Sequence, residues 1–353
     1  MTLDYDYIEA FFLKDGQNEL NIVTSDTIKP YKVFWTYDLN PQTQNKHYLF
    51  SGNAKNCHFQ FNYNPQRVNY FIIQWPNETP ILFGYRILPI AGMYNFRDIG
   101  GYRTENGQRI KWGIGYRSDY LKNLKPEGIP FFKSLRIHSI IDYRSHSEIV
   151  ADPNPEIDPK IKNYQFDPEA DTAQEAGDLQ VMHATKNLKE RAQLALKKGK
   201  TGQQKMIEQQ LDFVNNPSSH KAFSKSLNVL SDVNNLPNMQ HCRGGKDRTG
   251  FALMILEGIL GVPHNILVYD YMLTNRARRE KNQRYYSYFL KETQDKKLAD
   301  YLYSLFDTRP EFISASIDQI ENEYGSISTY AQQVLNLSSS KISQIRELFL
   351  TKA

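Results

Sequence analysis

The stretch that decides the fold is a short run, His241-Cys242-Arg243-Gly244-Gly245-Lys246-Asp247-Arg248-Thr249-Gly250. An apolar run, Phe251 to Leu256, follows at once and predicts a strand end, a loop and the N-terminus of a helix. Backbone N–H groups of such a loop, together with the helix dipole, bind an oxyanion and favour a thiolate at Cys242. The planar guanidinium of Arg248 can bind two phosphate oxygens. Together they indicate hydrolysis of phosphate monoesters through a cysteinyl-phosphate intermediate.

Other uses of this run fit its residues less well. A nucleotide-binding Walker A loop needs Ser or Thr after its lysine, whereas Lys246 is followed by Asp247. A Cys–His protease pair is disfavoured because His241 and Cys242 are neighbours at a strand end and point to opposite faces. A lone cysteine is often only a small buried hydrophobe, but Cys242 lies in a strand–loop–helix context. We therefore expect His241 to hydrogen-bond behind the loop and hold its shape.

Segments on both sides of this run resemble one protein family. They are Asn95-Phe96-Arg97-Asp98-Ile99-Gly100-Gly101-Tyr102, Ile140-Ile141-Asp142-Tyr143-Arg144-Ser145 with Glu148 following, Gly261-Val262-Pro263, Asp270-Tyr271-Met272-Leu273-Thr274-Asn275 and the tail from Arg309 to Leu350. With the loop, they are similar to the bacterial tyrosine phosphatase family that carries the signature His-Cys-x-x-Gly-Lys-Asp-Arg-Thr-Gly. That family includes secreted mycobacterial and listerial enzymes acting on phosphotyrosine and, in some members, on phosphoserine, phosphothreonine and phosphoinositides. The likeness spans roughly residues 90–350 and departs from the usual pattern at Arg243, at Gly244 and in the polar strand before the loop.

The composition is that of an ordinary soluble globular protein, with 40% apolar and 23% charged residues among 353. A net charge of +4 does not suggest a nucleic-acid partner. The two cysteines, Cys57 and Cys242, cannot form a zinc site alone, and a disulfide between them would silence the nucleophile. We therefore expect no metal, no cofactor and a reducing compartment.

The N-terminus is acidic and lacks the apolar core of a signal peptide. No apolar stretch approaches the length that spans a membrane. The sequence therefore predicts a cytoplasmic protein without a membrane span. A signal peptide that had been removed would leave no trace, so secretion stays open.

Two domains are predicted. Residues 1–88 contain short alternating and aromatic runs between turn-rich pieces, which is typical of a small β-sandwich of immunoglobulin or fibronectin type. Residues 89–353 alternate strands and helices, which predicts an α/β phosphatase domain with a central, mainly parallel sheet flanked by helices. The Pro- and Asp-rich segment 152–175 predicts a long exposed connection. Helix formers over 177–215 indicate either two surface helices or a helical lid over the active site.

Roles in the chemistry follow from these positions. Cys242 is the predicted nucleophile, and the loop from Arg243 through Gly244, Gly245, Lys246 and Asp247 to Arg248 is the predicted phosphate-binding segment. Two aspartates compete as general acid, and we favour Asp142, because it ends a strand that should face the loop, over Asp247 inside the loop. The predicted supporting residues are His241, Thr249, Asp98, Arg97 and Arg144. Thr249 is expected to donate to the thiolate or to cap the helix. Arg97 and Asp98 are expected to tie their segment to the loop, and Arg144 to anchor Asp142 or that segment.

These predictions converge on a protein-tyrosine phosphatase, with broad specificity left open. Its partners would be a phosphorylated protein or phosphoinositide as substrate and inorganic phosphate as product. Lys246 adds a second cation, so a phosphoinositide phosphatase is an alternative, unless Lys246 is bound by Asp98, Asp142 or Asp247. A sulfurtransferase and a phosphoprotein-binding module are alternatives from other classes. The Arg248-Thr249 pair argues against the first, and the intact nucleophile and arginine argue against the second.

Overall fold

The N-terminal region is all β. The structure, a computed structural model, describes residues 5–14, 16–40, 45–170, 188–197, 199 and 201–352. The strands of this region are β1 (Tyr7–Lys14), β2 (Gln17–Val23), β3 (Tyr31–Thr36), β4 (His47–Gly52), β5 (Asn56–Gln60), β6 (Tyr70–Gln74) and β7 (Ile81–Gly84). They form two antiparallel sheets, in the orders β1-β2-β5 and β4-β3-β6-β7. Phe59, Phe71 and Phe83 are buried against one another where the two sheets meet, so these aromatic residues are core, as their alternation predicts.

A five-stranded mixed sheet forms the centre of the second half of the chain. Its strands are β8 (Arg97–Asp98), β9 (Gly115–Ser118), β10 (Ser139–Asp142), β11 (Lys162–Gln165) and β12 (Asn238–His241), in the order β11-β10-β12-β9-β8. All neighbours pair in parallel except β8 and β9, which agrees with the predicted, mainly parallel sheet. In the register, His241 lies opposite both Asp142 and Ser118, so three strands end at one edge. Asp142 and Cys242 therefore meet at that edge, as predicted.

The polarity of β12 has a local cause. Asn238 and Gln240 are buried, but their side chains pair with polar groups of neighbouring segments. The Asn238 amide donates to Ser139 Oγ (2.7 Å), and Gln240 Oε1 accepts from the Tyr143 hydroxyl (2.6 Å). Burying paired polar groups costs little, so this strand tolerates residues that are unusual in a central position.

Helices surround the central sheet. In chain order they are α1 (Ile129–Ser134), α2 (His146–Ala151), α3 (Leu188–Lys197), α4 (Gly202–Asn215), α5 (Pro217–Leu230), α6 (Asp247–Leu260), α7 (His264–Ala277), α8 (Arg279–Thr293), α9 (Lys296–Ser304), α10 (Pro310–Tyr324), α11 (Ile327–Gln333) and α12 (Ser339–Phe349). The apolar helix after the loop, α6, is buried along almost its whole length and contacts β9, β12 and five other helices. None of the helices in the described ranges is long and apolar enough to cross a membrane.

The structure adds detail to two predictions about connecting segments. The segment 152–175 is not simply an exposed connection, because it contains β11, which pairs with β10 at the edge of the central sheet. The second half of the predicted lid, α4, packs on α10, and its Met206 and Phe213 are completely buried. A helix with such a core face cannot lift without losing that burial, so α4 belongs to the body of the domain. Residues 177–187 of the predicted lid lie outside the described residues.

A buried ion pair joins the N-terminal sheets to the phosphatase-like half. Glu9 on β1 and Arg86 are both fully buried, and Arg86 Nε donates to Glu9 Oε2 (2.8 Å). Arg86 Nη1 also donates to the carbonyl of Asp98 (2.6 Å), and the hydroxyl of Tyr269 on α7 donates to Glu9. The strand β1 therefore supplies a charged group to the interior of the second half.

Removing the charge of Glu9 is expected to destabilise the whole chain. In Glu9→Gln, Arg86 stays buried without a full countercharge, which costs about 3 kcal/mol in the free energy of unfolding. Urea denaturation monitored by tryptophan fluorescence measures the change. The matched control is Glu280→Gln, which breaks the exposed pair with Lys14 and should leave stability unchanged. Equal effects of the two variants would mean that the Arg86–Glu9 pair does not hold the two halves together.

Candidate active site

The residues after Cys242 form a loop whose backbone N–H groups are open. Cys242 follows β12 directly, is 3% exposed and has no disulfide partner among the described residues. The N–H groups from Arg243 to Thr249 donate to no acceptor within the described part of the chain. Lys246, at the N-cap of α6, makes no side-chain cap. The helix dipole and a row of free donors thus point to the same place, next to the thiol of Cys242.

The carbonyl groups of the same loop are bonded on its outer side. The carbonyl of Arg243 accepts from the N–H of Tyr120 (3.2 Å). Asn95 Nδ2 donates to the carbonyls of Gly244 (3.1 Å) and Gly245 (3.0 Å), and Arg117 Nη2 donates to Gly245 (2.9 Å). Because each peptide plane is fixed by its carbonyl, the N–H on the other side is aimed away from these partners. We call this loop, with its open N–H groups from Arg243 to Thr249, the cup.

Gly245 is required by this arrangement. Its φ is +62°, and an added Cβ would lie 2.3 Å from the carbonyl oxygen of Ser118. Both the backbone conformation and the close approach of β9 exclude a side chain here. The second glycine of the loop is therefore set by its contact with the neighbouring strand.

Arg248 is held by a residue on α2. Its Nη1 and Nη2 donate to Glu148 Oε2 (2.5 Å) and Oε1 (3.0 Å), and both side chains are buried. Glu148 is itself placed by the capping box of α2, in which Ser145 and Glu148 bond each other's backbone. The Nε of Arg248 is buried and has no partner among the described residues. The guanidinium is thus fixed by one edge, and its Nε remains available to a ligand.

His241 lies behind the loop. Its Nδ1 is 3.1 Å from the carbonyl of Cys242, and its Nε2 is 3.1 Å from Nδ2 of Asn154. Because a carbonyl only accepts, Nδ1 carries the hydrogen, and Nε2 accepts from the Asn154 amide. Burial lowers the pKa of His241, so the imidazole is neutral near pH 7. This is the structural position that the sequence predicts for His241.

Asp142 is fully engaged by its neighbours. Its carboxylate accepts from the backbone N–H (3.0 Å), Nε (3.0 Å) and Nη2 (2.7 Å) of Arg144, and from Asn154 (3.1 Å). Burial raises the pKa of Asp142, but the charge that His241 carries at low pH and the hydrogen bonds and charge of Arg144 outweigh burial and hold the pKa below its usual range. Asp142 therefore stays ionised, and Arg144 is its anchor.

The charged loop residues Lys246 and Asp247 have different surroundings. Lys246 Nζ donates to the carbonyls of Leu305 (2.9 Å) and Asp307 (2.9 Å) and lies 3.5 Å from Asp247 Oδ1. Burial lowers the pKa of Lys246. Asp247 Oδ1 accepts from the Tyr271 hydroxyl (3.3 Å), while its Oδ2 takes no hydrogen bond from the described residues. Lys246 thus ties the loop to the turn before α10, and Asp247 keeps one oxygen available.

The predicted contacts of Arg97 and Asp98 with the loop are not formed directly. Arg97 binds Asp270 and Thr274 of α7, and Asp98 accepts from the N–H groups of Gly100 and Gly113 (both 2.8 Å). The direct link from their segment to the loop is Asn95. Arg97 is connected to the loop through Asp270, which also binds Arg117, and Arg117 in turn donates to the carbonyl of Gly245.

Two further loop residues are placed as follows. The hydroxyl of Thr249 is buried and has no partner within the described ranges, so it forms neither the bond to Cys242 nor the cap that the sequence suggests. Arg243 binds Asp152 (2.7 Å) and lies over the ring of Tyr120, 4.6 Å from its centre. Its side chain therefore lies on the outer side of the loop, against Asp152 and Tyr120.

Sequence reasoning missed several residues that shape the site. Glu148, Asn95 and Asp270 belong to the quoted segments, but no role follows from their positions in sequence, because their partners are more than 90 residues away. Arg117 and Tyr271 bind groups 128 and 24 residues away. Only the spacing Ser145-x-x-Glu148, which predicts a capping box, marks Glu148 in advance.

The loop thus combines open N–H groups with the thiol of Cys242 and with Arg248, whose guanidinium is held by Glu148. This combination is typical of a phosphate-ester hydrolase. A sequence model of the tyrosine phosphatase family matches residues 88–351. The chain belongs to this family and is a protein-tyrosine phosphatase, a phosphoric monoester hydrolase. It is 25% identical over 279 residues to the triple specificity protein phosphatase PtpB of Mycobacterium tuberculosis, which covers 74% of this chain and 98% of PtpB. It is 24% identical over 258 residues to a protein of Cupriavidus necator provisionally named a tyrosine-protein phosphatase, which covers 72% of this chain and 85% of that protein.

Proposed function

We propose that this phosphatase works through a cysteinyl-phosphate intermediate on Cys242. The thiolate forms a bond to phosphorus as the bond to the tyrosyl oxygen breaks, and a carboxylic acid protonates the leaving oxygen. Water then cleaves the sulfur–phosphorus bond, which releases inorganic phosphate and restores the thiolate. The observation that carries this proposal is the orientation of the loop, whose N–H groups from Arg243 to Thr249 are all without partners in the described chain while its carbonyls are bonded outside.

Arg248 is proposed to bind the equatorial phosphate oxygens through Nε and one Nη. Its other edge is held by Glu148, so the guanidinium needs no reorganisation when charge develops in the transition state. Glu148 is a positioning residue in this scheme. Burial raises the pKa of Glu148, but its bonds to Arg248 outweigh burial and hold the pKa below its usual range. The Glu148 carboxylate therefore remains ionised at neutral pH.

The general acid is proposed to be Asp247, which replaces the assignment to Asp142 favoured by the sequence. An acid must carry a proton, and Asp142 is kept ionised by Arg144 and saturated with hydrogen bonds. Asp247 has an oxygen without a partner among the described residues and lies at the first position of α6, beside the cup. Asp142 then serves to hold Arg144 and, through Asn154, His241.

The substrate class proposed first is phosphotyrosine in proteins, with activity on phosphoserine and phosphothreonine as an extension. PtpB is named for triple specificity, and that breadth is transferred here only as a proposal. The phosphoinositide alternative rested on Lys246, whose amino group is bound to Leu305 and Asp307 and so does not point into the cup. Turnover of phosphotyrosine peptides, phosphothreonine peptides and phosphoinositides by one preparation tests this order. Faster turnover of a phosphoinositide than of every peptide would overturn it.

The roles of Asp142 and Asp247 can be distinguished by how the rate loss in each variant depends on the leaving group. An acid matters more for a poor leaving group, so Asp247→Asn should slow phosphotyrosine hydrolysis about a hundredfold but hydrolysis of an aryl phosphate with a very acidic phenol far less. Asp247→Asn should also lose the basic limb of the pH–rate profile. Steady-state kinetics with both substrates across pH measure this.

Asp142→Asn is the matched comparison. It weakens the contacts to Arg144 and Asn154, so it should slow both substrates by a similar factor and keep the shape of the pH profile. Leaving-group dependence in Asp142→Asn, together with its absence in Asp247→Asn, would return the role of acid to Asp142.

For the N-terminal region we propose the immunoglobulin or fibronectin type of sandwich. Two antiparallel sheets that share an aromatic core support this proposal. The division between residues 88 and 89 stays a prediction. Because Arg86 joins β1 to the interior of the phosphatase half, the region is expected to be needed for stability of the enzyme.

A further inference from the structure

A buried arginine outside the loop lacks a countercharge. Arg278 lies at the junction of α7 and α8 and is 2% exposed. Its Nε and Nη2 are buried and donate to no acceptor in the described ranges. The other fully buried arginines each form an ion pair with a carboxylate: Arg86 with Glu9, Arg97 and Arg117 with Asp270, Arg144 with Asp142, and Arg248 with Glu148. Arg278 differs from them because it forms none with a described residue.

The guanidinium of Arg278 is near the catalytic loop. Burial lowers its pKa, and the charges of Asp119, Tyr285, Asp247 and Cys242 act in the opposite direction. Two of these four groups, Asp247 and Cys242, belong to the proposed chemistry. Contacts of α8 agree with this position. Lys281 lies 5.1 Å from the ring of Tyr94, next to the Asn95 that holds Gly244, and the ring of Tyr285 lies 4.8 Å from that of Phe306, between the Leu305 and Asp307 that hold Lys246.

The nearby carboxylates form no ion pair with Arg278: both oxygens of Asp119 accept hydrogen bonds from other residues, and Asp247 keeps Oδ2 without a partner among the described residues. Asp119 accepts from the N–H of Asn95 (3.0 Å) and from the side chain of Asn123 (2.9 Å). Asp247 accepts from Tyr271. A buried guanidinium with unpaired N–H groups is costly, and a bound anion would remove that cost. The anion that this site handles is a phosphate ester.

A second cation lies one turn further along the same face of α8. Lys281 is three residues after Arg278 and 8% exposed, and its Nζ lies 5.1 Å from the centre of the Tyr94 ring. Burial, and then the charge of Arg278, lowers the pKa of Lys281 to about 7. Two basic side chains, Arg278 and Lys281, thus lie buried on the same face at the start of α8.

We propose that Arg278 is a second phosphate-binding arginine, which donates through Nε and Nη2 to the phosphoryl group held over Cys242. This inference rests on the proposed function. Arg248 belongs to the loop, and its guanidinium is held by Glu148. Arg278 lies at the α7–α8 junction, and its guanidinium pairs with the phosphoryl group of the substrate. Because it binds the phosphoryl group and not the leaving group, Arg278 contributes to every phosphate monoester that the enzyme hydrolyses.

Replacement of Arg278 by methionine tests the proposal. Arg278→Met should lower kcat/KM for a phosphotyrosine peptide on the order of a hundredfold and raise the Ki of vanadate at least about tenfold, as for loss of a transition-state donor. Thermal unfolding without phosphate should be unchanged or shifted upward, because an unpaired buried charge has been removed. Added phosphate should raise the Tm of the wild type more than that of the variant.

The matched control is Arg279→Gln, which removes the same charge one residue away at an exposed position. It should leave kcat/KM and the Ki of vanadate unchanged. Should Arg278→Met fail to fold, Arg278→Lys gives the same readout, since lysine keeps the charge and loses the planar fork. If the wild type is active and a folded Arg278 variant has the same kinetics and the same Ki of vanadate, only the inference about Arg278 is overturned. A wild type that turns over no phosphate monoester overturns the proposed function instead.

Discussion

Replacing Cys242 with serine is expected to abolish turnover of every phosphate monoester while the chain keeps its affinity for phosphate. A serine hydroxyl is far less nucleophilic than a thiolate, but the open N–H groups of the loop and the fixed Arg248 do not depend on sulfur. Release of phosphate measures turnover, and calorimetry with phosphate or a phosphotyrosine peptide measures binding. Vanadate, which resembles the transition state, should inhibit the wild type competitively.

The matched control is Cys57→Ser in the N-terminal sheet. Cys57 is half-buried, and Tyr31 lies 3.6 Å from its sulfur, so this change should leave kcat unchanged. Wild-type hydrolysis by Cys242→Ser would end the cysteinyl-phosphate mechanism. Loss of activity in wild-type enzyme treated with EDTA would equally contradict it, because no step of the scheme uses a metal.

Arg248→Lys is expected to lower kcat/KM by a hundredfold or more with little change in fold. A lysine ammonium cannot bond both oxygens of Glu148 and still present a donor at the position of Nε. The transition state therefore loses a donor that was positioned in advance, which is worth factors of about 10² to 10³. Steady-state kinetics with a phosphotyrosine peptide measure the loss.

Glu148→Gln keeps the shape of the side chain that holds Arg248 but removes its negative charge. Glutamine can still accept from one Nη of Arg248 but leaves the other without its carboxylate oxygen, so the fall in kcat/KM should be smaller than in Arg248→Lys. A change below about threefold in Arg248→Lys would mean that this arginine does not touch the phosphoryl group.

Local sequence predicted the centre of the molecule well. The run around Cys242 predicts a strand, a loop and a helix, and β12, the cup and α6 follow in that order. The position of Asp142 at a strand end predicts that it meets Cys242 at one edge, because parallel strands end together. The role of His241 follows from the same alternation along a strand.

What the sequence did not show depends on the folded geometry. Asp142 and Arg144 are two positions apart, yet only the geometry of the turn shows that Arg144 and Asn154 donate hydrogen bonds to the carboxylate. The bonds from Glu148 to Arg248 and the role proposed for Arg278 depend on how helices pack, so local sequence marks Glu148 only as a capping-box residue. Helix-forming residues alone predicted α4 as part of a pair of surface helices or of a lid, and they could not show that α10 covers its buried face.

The outer bonds of the loop have a consequence for how the enzyme is made. The carbonyls of Gly244 and Gly245 are held by Asn95 and Arg117, synthesised long before Cys242, while Lys246 is held by Leu305 and Asp307, synthesised well after it. The cup is complete only when both ends have folded onto the loop. We therefore expect a growing chain on the ribosome to lack the complete loop around Cys242 until synthesis has passed residue 307.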